Sequence, residues 1–161
     1  MPRTSGFSMV PKKILVPIDF SSSSEAALKQ ASALAEQLQA EIHLVHVIPM
    51  FTATKMPDFI PETEFIGAAR KAAEKHFAKC EADLATKGIK VTSSIKVGSD
   101  AVASILEEIE KSRVDLMVVS THGLTGWHPL VFGSTAEKLV KLVHIPVLLI
   151  RTAKPAGSER A

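Results

Sequence analysis

At 161 residues, 46% hydrophobic and 22% charged, the chain has the length and balance of one globular domain with a sizeable core. A net charge of +2 argues against a nucleic-acid groove or a basic membrane patch, and a scarcity of aromatics with no Tyr argues against a base-stacking platform. The single Cys80 can build neither an internal disulfide nor a cysteine-rich metal site, which points to a reducing cytoplasm.

Met1 to Pro11 lacks the apolar core of a signal peptide and reads as a flexible segment. Ile14-Leu15-Val16-Pro17-Ile18 reads as a buried strand, with Pro17 near its end where ladder bonding stops. Ser22-Ser23-Ser24-Glu25 carries a capping-box signature, and Ala27, Leu28, Ala31, Leu34, Ala35 and Leu38 follow at helical spacing. Ile42 to Ile48 is a second strand. Pro49 to Pro61 reads as a loop, either a lid or plain solvent-facing chain. A long helix from Glu62 to Lys87 places Phe65, Ala69, Ala73, Phe77, Cys80 and Leu84 on one face, and Gly88 closes it. Ile89 to Val97 alternates as a strand, and Ser99 or Asp100 caps a helix holding Val102, Ile105, Leu106 and Ile109.

The strand Val114–Val119, a helix from Thr135 and the strand Val147–Ile150 complete a β-α-β-α-β-α-β-α-β order. Residues 152–161 read as a flexible tail. This alternation predicts an α/β domain with a parallel sheet, right-handed crossovers and helices on both faces. No apolar run reaches the ~20 residues of a membrane span.

In such sheets ligands bind beyond the carboxyl ends of strands, where the strand order reverses. The first strand ends in Pro17-Ile18-Asp19. The fourth delivers Val119 and Ser120-Thr121-His122-Gly123, with nine residues between Gly123 and Gly133-Ser134-Thr135. Small residues let the main chain approach an anion, and a helix start offers free N–H groups. Each piece also has a purely structural explanation. Asp19 and the serines after it can cap the first helix, and Ser134 with Glu137 forms a capping box unaided. Trp127 and Phe132 read as anchors for the loop. His122 suits hydrogen bonding better than catalysis. His43 and His46, three apart on a strand, face opposite sides, which argues against a shared metal. No phosphate-loop lysine, dinucleotide-binding glycine triplet or hydrolase elbow occurs.

The chain resembles the universal stress proteins of the single-domain, adenine-nucleotide-binding type over Lys12 to Arg151. The resemblance rests on Lys13-Ile14-Leu15-Val16-Pro17-Ile18-Asp19-Phe20-Ser21, on Leu44-Val45-His46-Val47, on Val97-Gly98, and on Gly133 to Lys138 through Ile145 to Arg151. It implies five parallel strands in the order 3-2-1-4-5. Pro17, Asp19 and Val47 would then surround adenosine, while Gly123, Gly133, Ser134 and Thr135 hold ribose and phosphates. Ser120 stands where the family's Gly-x2-Gly-x9-Gly-Ser/Thr motif opens with glycine, at a cost on the order of 1 kcal/mol if that position needs a positive φ. From Ser120 to Glu137 there is no Lys or Arg. The implied ligand is ATP, ADP or AMP, with or without Mg²⁺, discriminated weakly and hydrolysed slowly or not at all. The family also implies a homodimer through Val147–Ile150, with an unidentified protein partner; a monomer with the tail over that edge is the alternative. A dimeric interaction protein that no longer binds nucleotide is the competing function, and a weak ATPase or phosphotransfer enzyme a third.

Overall fold

The computed structural model describes residues 10–50, 61–122 and 133–152. The expected flexible ends, apart from Val10, Pro11 and Thr152, lie outside the described residues. So do most of the Pro49–Pro61 loop, Gly123, and the anchors Trp127 and Phe132.

Nine elements alternate: β1 (Lys13–Pro17), α1 (Ser22–Leu38), β2 (Glu41–Pro49), α2 (Glu62–Ala85), β3 (Val91–Gly98), α3 (Ala101–Ser112), β4 (Leu116–Ser120), α4 (Ser134–Leu142) and β5 (Val147–Ile150). All pairings are parallel, and the sheet order is β3-β2-β1-β4-β5. Strand alternation divides the core in two. Ile14, Val16, Leu44 and Val118 face α1 and α2, with Phe77 and Leu84. Leu15, Val45, Met117 and Val119 face α3 and α4, with Ile105 and Leu139. Alanines 27, 31 and 35 line the buried side of α1, so the helix lies close against the central strands.

Local chemistry sets the ends of these elements. Gly88, at φ +72°, closes α2 as expected: Ile89 N–H donates to Leu84 O at 3.2 Å and Gly88 N–H to Ala85 O at 3.0 Å. Ile89 therefore belongs to the cap, and β3 starts two residues later than the alternation suggests. Asp100, not Ser99, caps α3, accepting from Val102 N–H at 2.9 Å and Ala103 N–H at 3.2 Å. The cap of α1 is Ser21, one residue before the expected box, with its Oγ accepting from Ser24 N–H at 3.1 Å.

Val114 and Asp115 precede β4 rather than opening it. Asp115 accepts from the N–H groups of Lys12 and Lys13 at 2.9–3.1 Å, which fastens the start of β1 beside β4. At Gly98 a Cβ would lie 2.7 Å from Ser104 Oγ, so glycine lets the end of β3 meet the first turn of α3. No described helix is long and apolar enough to cross a membrane. β5 is an edge strand with Leu148 exposed, and Val140 and Leu142 on α4 are exposed as well.

Candidate functional site

The chain leaves β1 toward β2 on one side and β4 toward β5 on the other, so β1 and β4 flank the reversal point. A crevice of about 230 Å³ opens there, at the carboxyl ends of the strands. Pro17 and Asp19 bound it from β1, Val47 from β2, Val119 and Ser120 from β4, and Gly133, Ser134 and Thr135 from the start of α4. Of the candidate binding residues, Gly123 alone lies outside the described chain. Two further contributions were not foreseen. Ala101 and Ile105 supply an apolar wall because α3 packs on this face of the sheet, and Val45 forms part of the floor. His122 lies at the rim, with Nδ1 2.8 Å from Thr121 Oγ1.

Each polar group has a definite arrangement. Asp19 Oδ1 accepts from Ser21 N–H at 3.0 Å and from Ser21 Oγ, so Asp19 does organise the entry to α1. Its Oδ2 receives no hydrogen bond from a described residue. One carboxylate thus organises the helix entry through Oδ1 and lines the crevice. Phe20 follows with φ +64°, a left-handed conformation costly for a bulky side chain, and the chain turns away from β2 there.

That turn leaves β2 longer than its neighbour. The β1–β2 register ends at Pro17↔Val45, and Ile18 N–H donates to Val45 O at 2.8 Å. Val47 lies two residues on, so its N–H and C=O point to the same side as those of Val45. No described residue bonds them there. His46 projects from the opposite face, its Nδ1 2.7 Å from Ile18 O. Burial pushes the His46 pKa down, against the hydrogen bond to Ile18 O and the nearby Asp19 charge, which push it up.

Ser120 has ordinary extended backbone at the end of β4, and its Oγ donates to His122 O at 2.8 Å. Serine in place of glycine thus carries no left-handed penalty. Thr121, 1% exposed, donates its N–H to Ile150 O at 3.1 Å and accepts from Gly133 N–H at 2.7 Å, clasping the two ends of the intervening loop.

The start of α4 differs from the expected capping box. Gly133 is the N-cap, because its C=O accepts from Glu137 N–H at 3.0 Å while its N–H is held by Thr121. Ser134 becomes the first helical residue, out of reach of the N–H groups it was expected to cap. Glu137 instead pairs outward with Lys141 at 2.8 Å. No described side chain caps this helix, so no described residue engages the N–H groups of its first turn beside the crevice.

A second polar cluster, unforeseen from the sequence, lies under α3 and away from the crevice. Glu108, 1% exposed, accepts through Oε1 from Ser94 and Ser112 at 2.7 Å and from His43 Nε2 at 2.8 Å. Lys96 Nζ lies 3.3 Å from Oε2. Burial alone would raise the carboxyl's pKa, but these hydrogen bonds outweigh it and bring the value down to about 2. Burial lowers the pKa of His43, and His43 Nδ1 lies 2.6 Å from Thr92 Oγ1. Among the described residues, no three His, Cys, Asp or Glu side chains are grouped to hold a metal ion.

These features define an open, doubly wound α/β domain with a ligand-sized crevice where its strand order reverses. The model of the universal stress protein family matches residues 11–151, and the chain belongs to that family. Universal stress protein MJ0531 of Methanocaldococcus jannaschii is 31% identical over 144 residues, covering 89% of this chain and 84% of that protein. The solved structure of MJ0577, from the same organism, is 30% identical with a TM-score of 0.78, covering 90% of this chain and 99% of that one. Two more distant structures share the fold. A universal stress protein in complex with cAMP has 20% identity, a TM-score of 0.64, and coverage of 89% of this chain and 99% of its own. One from Archaeoglobus fulgidus in complex with dAMP has 17% identity, a TM-score of 0.60, and coverage of 88% and 98%.

Proposed function

We propose that this protein is a cytoplasmic regulator that binds an adenine nucleotide in the β1–β4 crevice and hydrolyses it slowly or not at all. The observation that carries the reading is the placement of three kinds of unengaged polar group around one apolar cavity. Val47 offers an N–H and a C=O, the pair that matches adenine N1 and N6. Asp19 offers Oδ2 to ribose hydroxyls. The uncapped start of α4, with Ser134 and Thr135, offers donors to phosphate. Gly123 joins this last group by resemblance. The relatives in complex with cAMP and dAMP support the ligand class.

Among the described residues, the crevice lining contains no Lys or Arg. Phosphates would be held by N–H groups and hydroxyls, and affinity would come mainly from adenosine. AMP, ADP and ATP should then bind within about tenfold of one another. Mg²⁺ would enter on the phosphates rather than on a carboxylate cluster. Exposed Leu148 on edge strand β5 supports a homodimer through Val147–Ile150, which would present the nucleotide state to a protein partner.

Native mass spectrometry of freshly purified protein tests both parts. AMP, ADP or ATP near one per subunit of a dimer is the expected result. An empty dimer that also fails calorimetric titration with millimolar ATP and Mg²⁺ would instead favour an interaction protein without nucleotide.

A further inference from the structure

In a parallel ladder the bond following Ile18 N–H to Val45 O would run from Val47 N–H to Ile18 O. That bond is not formed. The Ile18 carbonyl is met instead by His46 Nδ1 at 2.7 Å. A carbonyl oxygen can only accept, so Nδ1 carries the hydrogen and donates it. The imidazole is held in this position by Phe20, whose ring centroid lies 4.3 Å from that of His46 and 4.8 Å from that of His76 on α2. Phe20 adopts its left-handed backbone at φ +64° and lies over His46. A strained residue therefore stands beside a histidine that substitutes for a missing ladder bond.

We propose that His46 is a positioning residue for base recognition: by occupying the Ile18 carbonyl, it keeps the Val47 N–H open to the crevice beside the Val47 C=O. The donor and acceptor then present the order that adenine requires and hypoxanthine reverses. Adenine offers an acceptor at N1 and a donor at N6, whereas hypoxanthine offers a donor at N1 and an acceptor at O6. Without the imidazole, Val47 N–H would swing onto Ile18 O, the ladder would extend by one bond, and the preference would disappear. His46 touches no base in this scheme and acts only through Ile18 and Val47. This role rests on the adenine-nucleotide reading for its ligand, but its effect on the ladder is independent of any ligand.

The test compares the full-length protein with His46→Leu and His46→Asn. The Asn side-chain amide can place an N–H near the position of Nδ1, while Leu fills the space without a donor. Amide hydrogen exchange of ¹⁵N-labelled protein should find the Val47 N–H unprotected in the wild type and in His46→Asn, and slowed at least about tenfold in His46→Leu. Calorimetry should find the wild type and His46→Asn favouring AMP over IMP by about tenfold or more, with the two nucleotides within about twofold of each other in His46→Leu.

A protected Val47 amide in the wild type overturns the proposal. So does a His46→Leu protein in which AMP and IMP weaken together with their ratio unchanged, because that is the signature of general loosening. If wild-type protein binds neither nucleotide while Val47 still closes in His46→Leu, the adenine reading falls and the ladder role of His46 stands.

Discussion

His43 and His46 stand three residues apart on β2, and the alternation of the strand sends them to opposite faces of the sheet. His43 enters a closed network in which its two ring nitrogens meet Thr92 and Glu108, and Glu108 in turn gathers Ser94, Ser112 and Lys96. His46 does the reverse. By taking the Ile18 carbonyl it leaves main-chain groups of Val47 without partners beside a cavity. The first arrangement binds α3 to β2 and β3. The second leaves polar valence unspent at the end of the same strand. Polar groups paired with one another, down to the Lys96 ammonium 3.3 Å from Glu108 Oε2, hold the fold, and unpaired ones border the crevice.

The contrast can be broken most severely at Glu108. Glu108→Ala should lose about 3–5 kcal/mol of unfolding free energy in urea titrations, since it strands Lys96, His43 and two hydroxyls around a buried gap. A loss under 1 kcal/mol would mean that the network is incidental to stability.

Acid should reveal the same asymmetry. Glu108 is held at about 2 against the ordinary carboxyl value of 4.5, so the unfolded chain binds more protons between those pH values. Its contribution, about 3 kcal/mol, is complete above pH 4.5 and disappears as pH falls toward 2. His43, lowered from 6.5, acts in the same direction at higher pH: the unfolded chain takes up its proton first, so stability declines as pH drops below 6.5. Denaturation midpoints measured from pH 7 to pH 2 should therefore fall in two stages, and Glu108→Gln should abolish the lower one.

A gentler change sharpens the unsaturated side. Gly133→Asp would place a capping carboxylate at the start of α4, where no side chain caps the helix. The variant should melt slightly higher, by a few tenths of a kcal/mol. It should also bind AMP about tenfold more weakly, because its charge and hydrogen bonds occupy the phosphate's place. Unchanged affinity would remove the helix start from the site. Smallest of all is Ser120→Gly. Ser120 does not have a positive φ, so restoring glycine should shift AMP affinity less than about twofold and slightly lower stability through the freer unfolded chain.

The elements themselves were legible because their signals are local: apolar runs for strands, a helical stripe on α1, and Gly88 where α2 must reverse. The strand order came with the family resemblance, since alternation alone does not choose it. What escaped notice depends on partners distant in sequence. Glu108 reads as an ordinary charged helix residue until Ser94 and Lys96 arrive from β3 and His43 from β2. Asp115 reads as part of the strand Val114–Val119, yet it precedes β4 and secures the first strand through Lys12 and Lys13. The Ser134–Glu137 box has the right spacing in the wrong phase, because a bond from Gly133 to Thr121 decides which residue starts α4. At α1 the cap was read correctly in kind and misplaced by one residue, whereas at α4 the expected box does not form.

The clasp between Gly133 N–H and Thr121 O, 2.7 Å long, has a consequence for how such a protein can diverge. It joins the two ends of residues 122–132 at the edge of the sheet, so β4 and α4 keep their relative places whatever chain runs between them. Doubling the length of a closed loop costs only about 0.6 kcal/mol in closure entropy. The stretch from 122 to 132 is therefore an exchangeable cassette. Its length and composition can drift under selection for different ligands or partners, while the frame that carries it is inherited unchanged.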